Sequence, residues 1–570
     1  MGSFHRKGRK DLRQIKQIKE REKKNMKRII SRCMAVLLTV AMILTMSMTA
    51  FASEGTSEAV AAATGKLTVN NTVAGKTLDL YQIFTAVKAN GSVLYTLNSA
   101  YDEFFKDKVD NGTTLEREAL SKAAYEYVKT QVGEDGSAGV VFAKQLLTWI
   151  LDSANNITAF KENVETTETT TEITGLPYGY YLVYPEGATD TSSAPGDQKY
   201  KSVASLVSVT DENAQINMKS NYPTVVKKVN DKNADDVNIG EEVTYTLTSK
   251  VPDMTGYTSY VFNFKDTLSV GLTFKEITSV TVGDTTITAV EAGKEANDTY
   301  TLTQNEQSIT ITMNNFLESN KDRAGQEIKV TYKAILNKDA IVGFNPNTNK
   351  ATVEYSNKPG TENKGESKPS IVDVHTFDFK IFKHYLVGET KNSLAGAKFE
   401  LYKANTEGTA ADEDNKVNIV NVAEGVYRQA TSEEVNAEGG FTSAVITSGT
   451  DGYAHVKGLK EGIYYLRETE APEGYNKLTR DIKITITAVY DETSGKLKSY
   501  SITYKYGDEK EIKGDDIDAG ENHPEVPVEN KAGAQLPSTG SKGALMVTLA
   551  GIVLFGALTV SKAFRKRKAD

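Results

Sequence analysis

The sequence predicts a mainly β protein: tandem immunoglobulin-like β-sandwich domains, the first with a helical insertion, between an N-terminal signal peptide and a C-terminal transmembrane segment. Three observations carry this expectation. Short alternating runs such as Val243–Thr248 and Ile482–Thr487 recur between Gly, Asn and Asp turns, as in strands that bury one face. A single stretch, about Leu115–Ala154, has helical spacing instead. Apolar runs with basic flanks lie near both ends of the 570 residues.

Residues 1–52 have the form of a secretory signal. Residues 1–32 hold 13 Lys/Arg against 3 acids, Met34–Met48 is apolar, and Ala50-Phe51-Ala52 is a small-x-small cleavage site before Ser53. The basic region is long, so Met26 is an alternative start. Ser53 to Thr539 spans 487 residues, enough for about three domains. This stretch holds 48 basic and 71 acidic residues, a net −23, and such a surface repels nucleic acid and anionic lipid. The only cysteine, Cys33, lies in the signal, which excludes disulfides and thiol catalysis from the exported protein.

Turn-rich breaks around Ser220–Pro223 and Lys358–Pro369 divide the rest into 65–221, 222–370 and 371–531. In the first domain Ala119, Ala123, Tyr127, Leu146 and Ile150 are spaced helically around the single tryptophan, Trp149, read as core. Gly175–Tyr184 can be laid on Gly458–Glu468 with one residue inserted, a weak internal repeat that sets Tyr184 where the other copy has Glu468. His375, His384, His455 and His523 lack metal-ligand spacing and are read as surface or internally satisfied residues; neither metal nor cofactor is expected. Asp231–Asp236 lacks the glycine and distal glutamate of a calcium loop and reads as a turn. No nucleotide loop or Ser/His/Asp constellation is recognisable.

At the C-terminus, Leu536-Pro537-Ser538-Thr539-Gly540 precedes an apolar run from Gly543 to Val560 and a basic cluster of Lys562 and Arg565–Lys568. The run is just long enough to span a hydrocarbon core of about 30 Å, with the basic cluster on the cytoplasmic side. Residues 536–570 thereby resemble the LPxTG sorting signal of Gram-positive surface proteins. The resemblance implies that a sortase attacks the Thr539–Gly540 bond and passes the new carboxyl end to an amine.

Tyr464–Tyr475 matches every fixed position of YxLxETxAPxGY and resembles the E-box of Cna-B-type domains. Phe379–Lys383, Leu394–Tyr402 and Val526–Asn530 resemble that family's first strand, its LAGAxFxLY strand and its last strand. In that family a lysine of the first strand and an asparagine of the last join through a side-chain amide, assisted by the E-box glutamate; the resemblance implies Lys380, Asn530 and Glu468. Burial favours this chemistry, because it disfavours an ammonium and keeps a nearby carboxylic acid protonated. The neutral amine is then a nucleophile, and the acid can polarise the carboxamide and relay protons as ammonia leaves. The alternative is that Lys380, on an alternating strand, points to solvent.

In the middle domain, Pro223–Val229, Phe264–Leu268 and Asn349–Val353 resemble the opening, acidic and closing strands of fimbrial isopeptide-forming domains. They imply a Lys227–Asn349 bond assisted by Asp266. Alternation selects Lys227 over Lys228, since Val225, Lys227 and Val229 share a face. Lysines and asparagines on exposed strands are common, which leaves open that none of the three reacts. No such bond is expected in the first domain.

Taken together, the chain resembles LPxTG-anchored major pilins, the fimbrial backbone subunits of Gram-positive bacteria. The resemblance implies sortase, other pilin subunits, cell-wall peptidoglycan and host surface ligands as partners, and no nucleic acid. In that family the acceptor lysine usually lies in a YPK-type motif. Here Tyr222-Pro223 is followed by Thr224, and with Lys227 assigned to the Asn349 bond, Lys219 and Lys228 are the nearest substitutes. A monomeric wall-anchored adhesin, an accessory or basal subunit and a wall-displayed enzyme remain as alternatives.

Overall fold

The computed structural model describes residues 63–109, 114–133, 139–188, 203–218, 221–520 and 522–533. The expected signal peptide, the 536–570 segment with Leu536, Pro537, Thr539 and Gly540, and Lys219 lie outside them. The described residues are mostly strand, arranged in tandem sandwiches as expected. Among them no helix is long and apolar enough to cross a membrane.

The first domain sets a three-stranded sheet, with Thr64–Thr72 between Thr169–Pro177 and Ala214–Asn217, against a second sheet centred on Thr77–Ala89 and Gly179–Pro185. Leu67, Val69, Ile173, Tyr181 and Val183 fill the space between them. A helix not expected from the sequence, Asp102–Val109, precedes the helical stretch, which forms Arg117–Val132 and Gly139–Leu151. Gly133, at φ +62°, ends the second helix with its N–H donating to the Lys129 carbonyl, a geometry that favours glycine. The third helix buries Phe142, Leu146, Leu147 and Ile150, and Trp149 packs on Tyr101 and Phe104. Trp149 is partly buried and packs against this core, close to its reading from the sequence.

The middle and third domains share an element. The 18-residue strand Ser370–Val387 pairs through its first half with Gly343–Ser356, and through its second half with Tyr453–Leu459 and Glu525–Glu529. The boundary expected at residues 370 and 371 therefore falls inside a strand. Core packing divides a few residues later: Val225 to Val374 form one cluster and Phe377 to Val528 the next. The turn-rich Lys358–Pro369 stretch is a hairpin return, in which Lys364–Glu366 folds back on Glu354–Ser356.

Side chains close the junction as well. Asp236 accepts from the Glu461 N–H at 2.7 Å and the Tyr490 hydroxyl at 2.8 Å, and Asn238 Oδ1 accepts from the Lys460 N–H at 3.0 Å. Gly458, at φ +84°, lies so close to Ile239 that an added Cβ would stand 2.7 Å from Ile239 Cδ1. The acidic Asp231–Asp236 segment is a turn followed by a short strand, Ala234–Asp236, that runs parallel to the shared strand.

Candidate functional site

In the middle domain, Lys227 comes from the opening strand Val226–Val229 of one sheet. Asp266 and Asn349 come from neighbouring strands of the other, Phe262–Leu268 and Gly343–Ser356. Asp266 lies opposite Ala351 and Asn349 opposite Leu268, so the period of two turns both side chains inward on one face. All three are buried, with Asn349 fully enclosed. Sequence and structure therefore bring the same three residues together.

Lys227 Nζ contacts Asp266 Oδ2 and donates to the Tyr332 hydroxyl at 2.6 Å. That hydroxyl donates to Asp266 Oδ2 at 2.8 Å and accepts from Asn349 Nδ2 at 2.7 Å. Tyr332 thus links amine, acid and carboxamide. Its ring and that of Tyr245, directly opposite on the next strand, stack at 5.1 Å with Lys227 Nζ about equally far from both, at 5.0 and 4.8 Å. Burial lowers the Lys227 amine to about 8, against the opposing pull of Asp266. Asp266 Oδ1 and Asn349 Oδ1 have no hydrogen-bond partner within the protein, an arrangement costly in a finished core.

The third domain repeats this logic with one lysine exchanged. Glu468, on Gly462–Glu470, reaches across the sandwich and accepts from Asn530 Nδ2 at 3.0 Å and the Leu478 N–H at 2.7 Å. The lysine facing it is Lys383, not Lys380: Lys383 Nζ stands 3.1 Å from Glu468 Oε1, with both side chains fully buried. Lys380 is half-buried on the opposite face of the strand, since Phe377, Phe379, Ile381 and Lys383 alternate toward the core. This corrects the expected trio to Lys383, Glu468 and Asn530. Burial lowers Lys383 to about 8, again against its acid partner. Lys383 Nζ, Glu468 Oε1 and Asn530 Oδ1 lack hydrogen bonds of good geometry.

The residue that follows the E-box holds Asn530 in place. Asn530 Nδ2 also donates to the Asn476 carbonyl at 2.9 Å, and the Asn476 N–H donates to the Lys531 carbonyl at 2.9 Å. The Asn530 N–H donates to the His384 carbonyl at 3.0 Å, which fixes the closing strand beside Lys383.

In the first domain Tyr184 is buried with no lysine–asparagine pair around it among the described contacts. Lys228, on the face opposite Lys227, donates to Asn233 Oδ1 at 2.6 Å. Of the histidines, His375 and His384 are buried, while His455 and His523 meet over Asp378. Sequence reasoning missed Tyr332, which has no motif of its own, and passed over Lys383 although it stands inside the quoted Phe379–Lys383 strand.

The geometry defines a class: tandem sandwiches in which the opening strand, the closing strand and an acid from between them meet as a buried lysine, asparagine and carboxylate. Comparison with known proteins adds three family matches. Residues 239–359 match the Gram-positive pilin backbone subunit 2, Cna-B-like domain; residues 382–499 match the prealbumin-like fold domain SpaA; and residues 528–570 match the LPXTG cell wall anchor motif. The middle domain is thus of the Gram-positive pilin backbone kind, and the anchor motif marks a cell-wall-anchored surface protein.

The trypsin-resistant surface T6 protein of Streptococcus pyogenes serotype M6 is 28% identical over 308 residues, 50% of each chain. The chain spans about half the length of that curated relative. Similar solved structures include the T6 backbone pilin of the same serotype (17% identity, 83% of this chain and 99% of that one, TM-score 0.44). Another is the full-length major pilin RrgB of Streptococcus pneumoniae (16% identity, 65% and 88%, TM-score 0.38).

Proposed function

We propose that this chain is a backbone subunit of a sortase-assembled pilus, whose middle and third domains each lock themselves with a lysine–asparagine amide. The observation that carries the reading is the pair of buried trios, each joining an opening strand to a closing strand, in a chain that also has a wall-anchor motif. The reaction is written once per domain. The Lys227 ammonium passes a proton to Asp266, leaving a neutral amine and a neutral acid. The amine forms a bond to Asn349 Cγ; the acid and the Tyr332 hydroxyl deliver the first proton to Nδ2, and the proton shed by the new amide nitrogen goes to Asp266, which ends as the neutral acid. The Cγ–Nδ2 bond breaks and one ammonia leaves. Lys383, Asn530 and Glu468 follow the same course, with the Leu478 N–H and the Asn476 carbonyl orienting acid and amide. Each bond forms once, so the protein is a structural subunit that modifies itself and turns over no substrate.

A crosslink between first and last strands suits a subunit pulled through its ends, because it removes the middle of the domain from the line of force. In the polymer, the carboxyl of Thr539 would be joined to Lys219 or Lys228 of a neighbouring subunit, and at the base to peptidoglycan. Intact mass is the test. The folded chain should be lighter than its sequence by two ammonia, and well-folded protein at full mass would overturn the reading.

A further inference from the structure

The third domain holds a second buried carboxylate that the crosslink does not use. Asp378 lies on the shared strand, on the face opposite Lys383, and is fully buried. Its Oδ1 accepts from the Tyr500 hydroxyl at 2.9 Å. Its Oδ2 is met by His455 Nε2 and, at 2.6 Å, by His523 Nδ1. The three atoms lie within 4.8 Å of one another, and the two imidazole centroids are 4.5 Å apart.

Each group is held by the backbone. His455 sits opposite Lys380 on the adjacent strand, and His523 precedes Pro524, whose carbonyl accepts from the Lys380 N–H at 2.8 Å. Gly343 of the middle domain, at φ +100°, approaches the floor of the cluster; a Cβ there would lie 3.5 Å from the Tyr500 hydroxyl and 3.8 Å from Asp378 Oδ1. Side-chain exposure rises from 0% at Asp378 to 10% at His455 and 21% at His523, so the cluster has a closed floor and a side open to solvent.

We propose that Asp378, His455 and His523 form a zinc site. Two imidazole nitrogens and one carboxylate oxygen converging on a point are a donor set for zinc, whereas calcium and magnesium take oxygen ligands. Tyr500 supplies the outer hydrogen bond that orients a ligating carboxylate. Zinc binds the bare nitrogen of a neutral imidazole, so each ring hydrogen moves to the other nitrogen. Ligand bonds of about 2.0–2.2 Å at tetrahedral angles set donor atoms about 3.4 Å apart, so both the His455 and the His523 contact with Asp378 must open by roughly an ångström as the ion enters between them. The ion would tie the shared strand, its neighbour and the segment before the closing strand together, on the face away from Lys383. This inference does not depend on the amide chemistry.

The test uses untagged full-length chain in detergent, stripped with chelator and titrated with zinc by calorimetry and with cobalt by visible absorption. Zinc should bind saturably, and His455→Gln and His523→Gln should each weaken it at least about tenfold, while His384→Gln leaves it unchanged. Wild-type protein supplies a check that needs no variant to fold: zinc should protect His455 and His523 from carbethoxylation, read by peptide mass. Absence of saturable binding, wild-type affinity in either of the two variants, or no protection at either histidine would each overturn the site.

Discussion

Replacing Lys383 by methionine separates the buried lysine from its neighbour on the strand, and Lys380→Met is the matched control. Methionine keeps an unbranched side chain of similar length and removes the amine. Lys383 and Asn530 close a loop of about 148 residues, and the chain-entropy treatment of crosslinks assigns such a loop about 5 kcal/mol. For a domain of this size each kcal/mol moves the midpoint by about 2–4 °C, so the third-domain transition should fall by about 10–20 °C. Intact mass and calorimetry are read together. Wild type and Lys380→Met should each lack two ammonia, and Lys383→Met should lack one. If Lys380→Met abolished an ammonia loss while Lys383→Met did not, the assignment from burial and strand parity would be refuted.

Three further outcomes follow from the same geometry. Tyr332→Phe removes the hydroxyl that contacts amine, acid and carboxamide together, so the middle-domain bond should form at least about tenfold more slowly after refolding, followed by mass against time. Asn349→Ala keeps Lys227 as a buried free amine near 8, below its ordinary 10.5. Between those values the unfolded chain binds the extra proton, so stability rises with pH, by about 3 kcal/mol across the window. Denaturant titration of Asn349→Ala from pH 8 to 10.5 checks the sign, and a flat or falling curve contradicts it. Lys219→Arg with Lys228→Arg keeps both charges but no usable amine, so high-molecular-weight polymers should vanish from wall extracts; persistence places the acceptor elsewhere.

Much of this protein could be read locally. Alternation of period two located the sandwich strands and chose Lys227 over Lys228, because Val225 and Val229 flank it on a strand buried on one face. The helical stretch and the packing of Trp149 against its core followed from the 3.6 period, and Glu468 and Asn530 stood in a motif complete at every fixed position. Such patterns are legible because each residue's environment is set by neighbours a few positions away.

Tertiary structure decided the rest, where that condition fails. On the shared strand Phe377, Phe379 and Ile381 share their parity with Lys383, yet the motif match implied Lys380; the packing of this strand against the Glu468 strand decided which lysine meets the acid. The Lys358–Pro369 turn looks like a linker in sequence, yet pairing of Lys364–Glu366 with Glu354–Ser356 makes it a hairpin return. Tyr332 joins its cluster, and Asp378, His455 and His523 join theirs, from strands distant in the chain. Which side chains meet across two packed sheets depends on register and sheet order, properties of strand pairing that no local period encodes.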